Sequence, residues 1–478
     1  MRTFLSSFIQ AWDSWVLWYF AGVNLVYGVL FLASIFETWK NFALVRRLHL
    51  RRRLGEEFFP PISVVLPAFD EEPTILDSVR AQLALDYPRH EVIVVNDGST
   101  DGTLEVLREA FDLYEVPPAY PRKLRTETVR AVYRARGQSR LVVIDKENGG
   151  KADAINAGID LARYPLLATV DADTIVDRNA LPRIVRPFLL SGNTVASGGT
   201  IRISNNCTFE RGELREPHIP AKMLPGIQVP EYLRAFLFGR MGWNRLGGNL
   251  LISGAFALYR RDVLLSVGGF DPRSVTEDFG LTVALHRKLR QEDESYELPF
   301  VPDPVAWTEA PERYRDLAAQ RERWHRGLIR TLLDNVGMLF NPKYGTVGMF
   351  VFPFFLLGDM LSPAVEILGY FIIVVGGLLG LIGWTYALWF FALALGYMMM
   401  LSVWALCLEE LTYRVYRSPR DFWRMVGFAV LEPFGYHQLT VWWRLKAYWR
   451  ALIGSEDWGH HERKGVREAG PEERRSAA

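Results

Sequence analysis

The chain has 478 residues, too many for one ordinary soluble domain. Its formal net charge of +1 gives no strong bulk attraction to nucleic acid, and no nucleic-acid partner is expected. Cys207 and Cys407, its two cysteines, lie far apart with no His/Cys cluster beside them, which argues against a disulfide scaffold or a structural zinc site.

Hydrophobic residues make up 49% of the chain but are unevenly spread. Residues 15–36 are almost wholly apolar. At about 1.5 Å per residue they are long enough to cross a ~30 Å hydrocarbon core. No clear cleavage signal accompanies them. Arg46, Arg47, Arg51, Arg52 and Arg53 follow, so the positive-inside rule makes that flank, and the domain after it, cytoplasmic.

Residues 62–66 open the soluble part as a strand, which ends in Pro67-Ala68-Phe69-Asp70-Glu71. A helix-period stretch follows at 74–85. A second strand at 91–95 runs into Asn96-Asp97-Gly98-Ser99. This β-loop-α-β order predicts parallel pairing. Asp97 stands just past its strand, where it can accept hydrogen bonds from a base or ribose, or simply form an Asx turn. Residues 111–140, rich in Arg, Pro and Tyr, read as an irregular connection, and 141–144 as the third strand. Gly149-Gly150-Lys151 then opens a helix. Glycines let a backbone approach phosphate closely, and Lys151 adds a point charge.

Residues 166–170 are a short apolar run, read as a buried strand ending in Asp171-Ala172-Asp173. In extended chain, i and i+2 point the same way, so both carboxylates face one spot. Such a pair suits Mg²⁺ or Mn²⁺ with positions left for phosphates. Glu71, Asp97, Lys151, Asp171 and Asp173 all follow strands, and in a parallel sheet those loops share one edge, where α/β folds bind ligands.

A further strand is expected at 195–203, then an interrupted stretch at 206–249. Residues 250–259 contain Gly254. Thr276-Glu277-Asp278 precedes an amphipathic helix at 279–289 and reads either as an N-cap with acids suiting the dipole or as the home of a general base. Gln320, Arg323 and Trp324 share one face of a helix at 317–333. Trp324 can stack on a sugar and Arg323 can neutralise diphosphate. His325 and His437 read as surface or packing residues. Residues 361–382 and 384–408 are long enough to span a bilayer, and 347–357 and 425–434 are interfacial helices or a further pair of crossings. Trp442, Trp443 and Trp449 among Arg444, Lys446 and Arg450 form a membrane-surface pattern. The tail from Glu462 is charged.

These residues resemble a family 2 glycosyltransferase of the membrane-embedded group, which includes cellulose, hyaluronan and poly-N-acetylglucosamine synthases. The resemblance covers about residues 61–458. It implies an α/β fold of GT-A type, Rossmann-like with a mostly parallel sheet, plus transmembrane and interfacial helices. The domains would be an N-terminal helix with basic flank (1–54), a GT-A domain (55–340), membrane helices (341–455) and a charged tail (456–478). It implies an inverting, Mg²⁺- or Mn²⁺-dependent transfer from a UDP-sugar. Ala68, Glu71, Asp97, Lys151 and Asp171 would bind the nucleotide-sugar, and Asp171 and Asp173 the metal. Asp278 would be the base with Glu277 beside it, and Gly254, Thr276, Gln320, Arg323 and Trp324 would serve the acceptor. The resemblance further implies a multi-pass protein of a bacterial-type inner membrane, with three or five crossings and a cytoplasmic catalytic domain. It also implies polysaccharide export, and it leaves room for an accessory subunit. A single transfer to a lipid acceptor, or a UDP-binding scaffold without turnover, are the alternatives.

Overall fold

The structure is a computed structural model that describes residues 2–48, 55–210, 213–381 and 383–453. The tail expected from residue 456, and the arginines at 51–53, lie outside the described residues. The chain divides into two compact units. One comprises Lys40–Pro220 and Asn249–Ala310. The other comprises the residues up to Trp39, Ala221–Gly248 and the described residues from Pro311 onward. The continuous 55–340 domain drawn from the sequence is thus interleaved with helical segments.

The first unit is built on a ten-stranded sheet, in the order β3-β4-β5-β2-β1-β6-β11-β8-β12-β7. Its centre is β5 (Gln138–Lys146), β2 (His90–Asp97), β1 (Ile62–Ala68) and β6 (Leu166–Val170), all mutually parallel. These strands are apolar on both faces, as a sheet covered on both sides requires, and β2 and β6 are buried at every residue. β11 (Phe256–Arg260) runs antiparallel between β6 and β8 (Ala196–Ile203). β12 (Phe300–Thr308) pairs parallel with β8 and antiparallel with the short β7 (Ile175–Val176). The fold is α/β and GT-A-like, with a parallel centre and antiparallel flanks.

Residues 111–140, expected to be irregular, instead supply β3 (Leu113–Val116) and β4 (Val129–Ala135), which extend the sheet antiparallel beyond β5. β3 has no fully buried residue and β4 mixes buried with more exposed positions, so both lack the continuous apolar run of the central strands. The interrupted stretch 206–249 resolves into the hairpin β9 (Thr208–Glu210) and β10 (Glu213–Glu216) and the helices Met223–Leu233 and Met241–Arg245, joined by a π turn.

Helix Lys151–Leu161 packs on β1 through Gly158, where an added Cβ would lie 2.4 Å from Val65 Cγ1. Three buried polar side chains on this helix each hold a loop. Asp153 accepts the Glu127 N–H at 3.1 Å, and Asp160 accepts those of Lys123 at 2.9 Å and Leu124 at 3.1 Å. Asn156 grips Phe270 twice, donating to its carbonyl and accepting its N–H, each at 2.8 Å.

The second unit is helical. Among the described residues one helix, Ser14–Leu44, is long and apolar enough to cross a membrane. A bent pair, Val347–Met360 with Ser362–Leu378 at 40°, would be one more if it forms a single broken span. By length and composition the expected three or five crossings therefore reduce to one, or up to two. The apolar run at 361–382 stops as a helix at Leu378, with Gly380 at φ 65°. The run from Trp384 to Thr412 stays helical, with a π segment at Ala392–Gly396. A buried charge pair in this unit has the bidentate geometry that burial favours. Arg234 donates to both carboxylate oxygens of Glu432 at 2.7 Å. His325 and His437 are packing residues, as one of the two readings from the sequence had it. His325 is buried against Arg444, and His437 bonds Glu366 at 2.9 and 3.0 Å.

Candidate active site

Because β1, β2, β5 and β6 are parallel, their C-terminal ends lie on one edge of the sheet, and that edge carries the candidate residues. Ala68 closes β1 and is buried opposite Asn96. Glu71, also buried, accepts the Thr74 hydroxyl at 2.8 Å, and its N–H donates to Thr103 Oγ1 at 2.9 Å. Asn96 donates to Asp145 at 2.8 Å.

Asp97 is more deeply engaged than its sequence context suggests. Its carboxylate accepts from Lys146 Nζ at 2.5 Å, from Gly149 N–H at 3.1 Å and from Gly150 N–H at 2.7 Å. Lys146, fully buried, also lies 2.6 Å from Asp153. Gly150 takes φ 85°, a left-handed value that favours glycine, and so turns the chain into the Lys151 helix. The Asp97–Lys146–Asp153 chain therefore fixes the glycine turn and the root of Lys151. Sequence reasoning missed Lys146, although a lysine ending an otherwise apolar strand was its visible signal.

Lys151 Nζ bridges two carboxylates, 2.7 Å from Asp171 Oδ1 and 2.6 Å from Glu277 Oε1. Burial opposes the lysine's charge, but the two carboxylates outweigh it and raise its pKa. Burial pushes Asp171 up to about 6 against the pull of Lys151, and the charge of Asp173 adds to the rise. Asp278 accepts the Gly254 N–H at 2.8 Å on one oxygen and the Phe279 N–H at 2.8 Å on the other. Burial raises its pKa, with Glu277 adding and Lys151 opposing. A Cβ on Gly254 would stand 3.2 Å from Asp278 Oδ2 and 3.3 Å from Lys151 Nζ, so glycine keeps both groups in place. Thr276 precedes helix Glu277–Gln291, but its hydroxyl makes no cap hydrogen bond. The acids that follow it are turned to Lys151 and Gly254, whatever they add to the helix dipole.

One sheet edge thus assembles Lys151, Asp171, Glu277, Asp278 and Gly254. Asp173 lies close enough to raise the pKa of Asp171. A hard divalent cation fits this pair, because it would relieve the repulsion between two adjacent carboxylates. Among the described residues no group of three His, Cys, Asp or Glu side chains is arranged for a metal, so phosphate and water oxygens would complete the shell.

Gln320, Arg323 and Trp324 belong to the helical unit, on helix Tyr314–Asp334. Trp324 is 38% exposed. The Arg321 guanidinium lies over its ring at 4.7 Å. Arg321 donates to Glu231 at 2.8 Å, and the Tyr436 hydroxyl donates to the same oxygen at 2.7 Å. Neither Glu231 nor Arg321 was singled out from the sequence, because their meeting depends on helices distant in the chain.

Known proteins are similar to this chain over parts of its length. Residues 63–268 match the profile of glycosyl transferase family 2, and residues 166–408 that of glycosyl transferase family group 2. The chain is 29% identical over 283 residues to the poly-beta-1,6-N-acetyl-D-glucosamine synthase of Staphylococcus epidermidis, covering 59% of this chain and 58% of the relative. Identity to the synthase of Staphylococcus aureus strain COL is 28% over 313 residues, covering 65% and 63%. The match thus spans about six tenths of the length of these relatives. Among solved structures, a mannosyltransferase from Pyrobaculum calidifontis, in complex with GDP-Man and Mn²⁺, superposes with a TM-score of 0.47 at 17% identity, covering 91% of this chain and 100% of that one. With its second profile matching half of the residues, the chain belongs to glycosyl transferase family group 2 and is a family 2 glycosyltransferase similar to poly-N-acetylglucosamine synthases.

Proposed function

We propose that this chain transfers a sugar from a UDP-sugar to the growing end of a β-linked polysaccharide, with UDP-N-acetylglucosamine the first candidate and UDP-glucose the second. The observation that carries the reading is the meeting of Lys151, Asp171, Glu277 and Asp278 at one sheet edge. The similarity to the staphylococcal synthases supports the choice of sugar.

In this reading Asp278 accepts the proton of the acceptor hydroxyl while that oxygen attacks the anomeric carbon. The bond from that carbon to the diphosphate breaks on the opposite face, UDP departs with the electron pair, and an α-linked donor yields a β linkage. Lys151 offers positive charge to the diphosphate, and Glu277 holds the lysine in position. Mg²⁺ or Mn²⁺, held by Asp171 and Asp173 when bound, would stabilise charge on the leaving diphosphate. Asp97 fixes the glycine turn and lines the nucleotide end with Ala68 and Glu71. Ser14–Leu44 anchors the chain in the cytoplasmic membrane with the sheet unit on the cytoplasmic side. Chain growth is coupled to export.

Trp324 serves the acceptor sugar in this scheme. Trp324→Ala is expected to raise the acceptor KM about tenfold, the equivalent of roughly 1.4 kcal/mol of ring contact. The donor KM should change by less than about twofold, because uniform binding lost at one substrate need not affect the other. Initial rates against acceptor oligosaccharide and against donor, measured separately, check the split.

The full chain, purified in detergent or nanodiscs, tests the activity itself with each UDP-sugar in turn. UDP release accompanied by a high-mass product from UDP-N-acetylglucosamine is the expected result. A chloroform-soluble monoglycoside alone would move the assignment to a single transfer onto lipid. Absence of turnover with every donor and both metals would overturn the reading.

A further inference from the structure

Lys151 stands where two ligands of opposite kind would need it to be in different places. Its ammonium lies 2.7 Å from Asp171 Oδ1, on one carboxylate of the proposed metal pair. A divalent cation of the magnesium type would take a carboxylate oxygen at about 2.0–2.1 Å. A dication on either oxygen of this carboxylate would stand within a few ångströms of the ammonium, and the two would repel strongly. The root of Lys151 cannot retreat, because its helix is pinned on Val65 through Gly158 and on Phe270 through Asn156. Its four-carbon stem can turn, however, and its three donors suit a phosphate as well as a carboxylate. Glu277, 2.6 Å from the same ammonium, offers a second anchor that the proposed metal pair does not include. The absence of a side chain at Gly254 leaves the neighbouring space open, since a Cβ there would lie 3.3 Å from Nζ.

Resting on the donor and metal assignments above, we propose that Lys151 is an exchangeable counter-ion. Without donor it neutralises Asp171 and Glu277 together. When the metal and the nucleoside diphosphate bind, the ammonium leaves Asp171 for a phosphate oxygen and keeps Glu277 as its pivot. No covalent bond changes. The consequence is thermodynamic: metal alone competes with the lysine, whereas metal and diphosphate favour each other's binding.

Mn²⁺ binding to the full chain in nanodiscs, read from the electron paramagnetic resonance signal of free Mn²⁺ with and without saturating UDP, tests this directly. Lys151→Met is expected to bind Mn²⁺ alone about tenfold more tightly than wild type, and Mn²⁺ with UDP about tenfold more weakly, within the usual range of such couplings. Lys151→Gln should give the same signs with smaller size and guards against a folding defect in the first variant. Tighter Mn²⁺ binding both with and without UDP would mean that the lysine acts only as a nearby positive charge, and the exchange would be wrong. Unchanged binding of Mn²⁺ alone would overturn it as well. Asp173→Ala examines the parent assignment: it should lose Mn²⁺ in both conditions. If Asp173→Ala bound Mn²⁺ as wild type does, the metal assignment would fall first and the exchange with it.

Discussion

Asp278→Asn is expected to lower transfer by about 10²–10⁴-fold, the usual contribution of a positioned general base, while UDP affinity stays within about twofold of wild type. The substitution is nearly isosteric. The asparagine carbonyl can still accept the Gly254 N–H that Asp278 accepts at 2.8 Å, at the cost of the bond from the Phe279 N–H to the second oxygen. What disappears is the group able to take the acceptor proton. UDP release under saturating donor, paired with UDP titration, separates chemistry from binding. Wild-type turnover in this variant would move the base role to another residue.

The pH profile supplies a second readout. Burial, with Glu277 adding, raises the Asp278 pKa above its ordinary 3.8. A base works only when ionised. Activity is therefore present above the raised pKa and lost as pH falls through it, so the acid limb of kcat/KM should lie above the ordinary carboxylate range. The residual rate of Asp278→Asn should lose the part of that limb set by Asp278 and keep the part set by Asp171, which burial pushes up to about 6.

Lys146→Met is expected to destabilise the protein by about 3–5 kcal/mol, the cost of breaking a buried charge pair from one side. Lys146 Nζ is fully buried, 2.5 Å from Asp97 and 2.6 Å from Asp153. Removing the ammonium leaves two carboxylates facing each other in a region closed to water. Thermal unfolding of the full chain should show the loss, and the triple variant Lys146→Met/Asp97→Asn/Asp153→Asn should recover part of it by removing the uncompensated charge. An unchanged melting temperature for Lys146→Met would mean that the three groups are not coupled. Damage to the glycine turn that carries Lys151 should also weaken UDP binding in the single variant.

The parallel centre of the sheet was legible because its strands are nearly pure apolar runs, and their loops could be assigned to one edge by connectivity alone. Lys151, Asp171, Glu277 and Asp278 were legible as chemistry, since each is a polar exception where an apolar element starts or ends. β3 and β4 were not, because half-exposed antiparallel strands can carry Arg and Tyr and so read like a loop. The membrane crossings were over-read. Hydropathy sums an apolar run whether or not the backbone breaks within it, and the end of the helix at Leu378, with Gly380 at φ 65°, leaves no clear mark in composition.

The amino-acid order alone determined the α/β class, the residue types at the strand ends and the family. Which of those residues touch was decided only by tertiary structure. Asp153, Asn156 and Asp160 look like the solvated face of a helix, yet the fold buries them against loops contributed by residues 123–127 and 270. Lys151 could have faced phosphate or water and instead spans Asp171 and Glu277, residues 20 and 126 positions further along. The physical reason is that charge pairing acts over a few ångströms of space and is blind to separation along the chain. Local periodicity names the elements, while the packing of one element on another selects the partners.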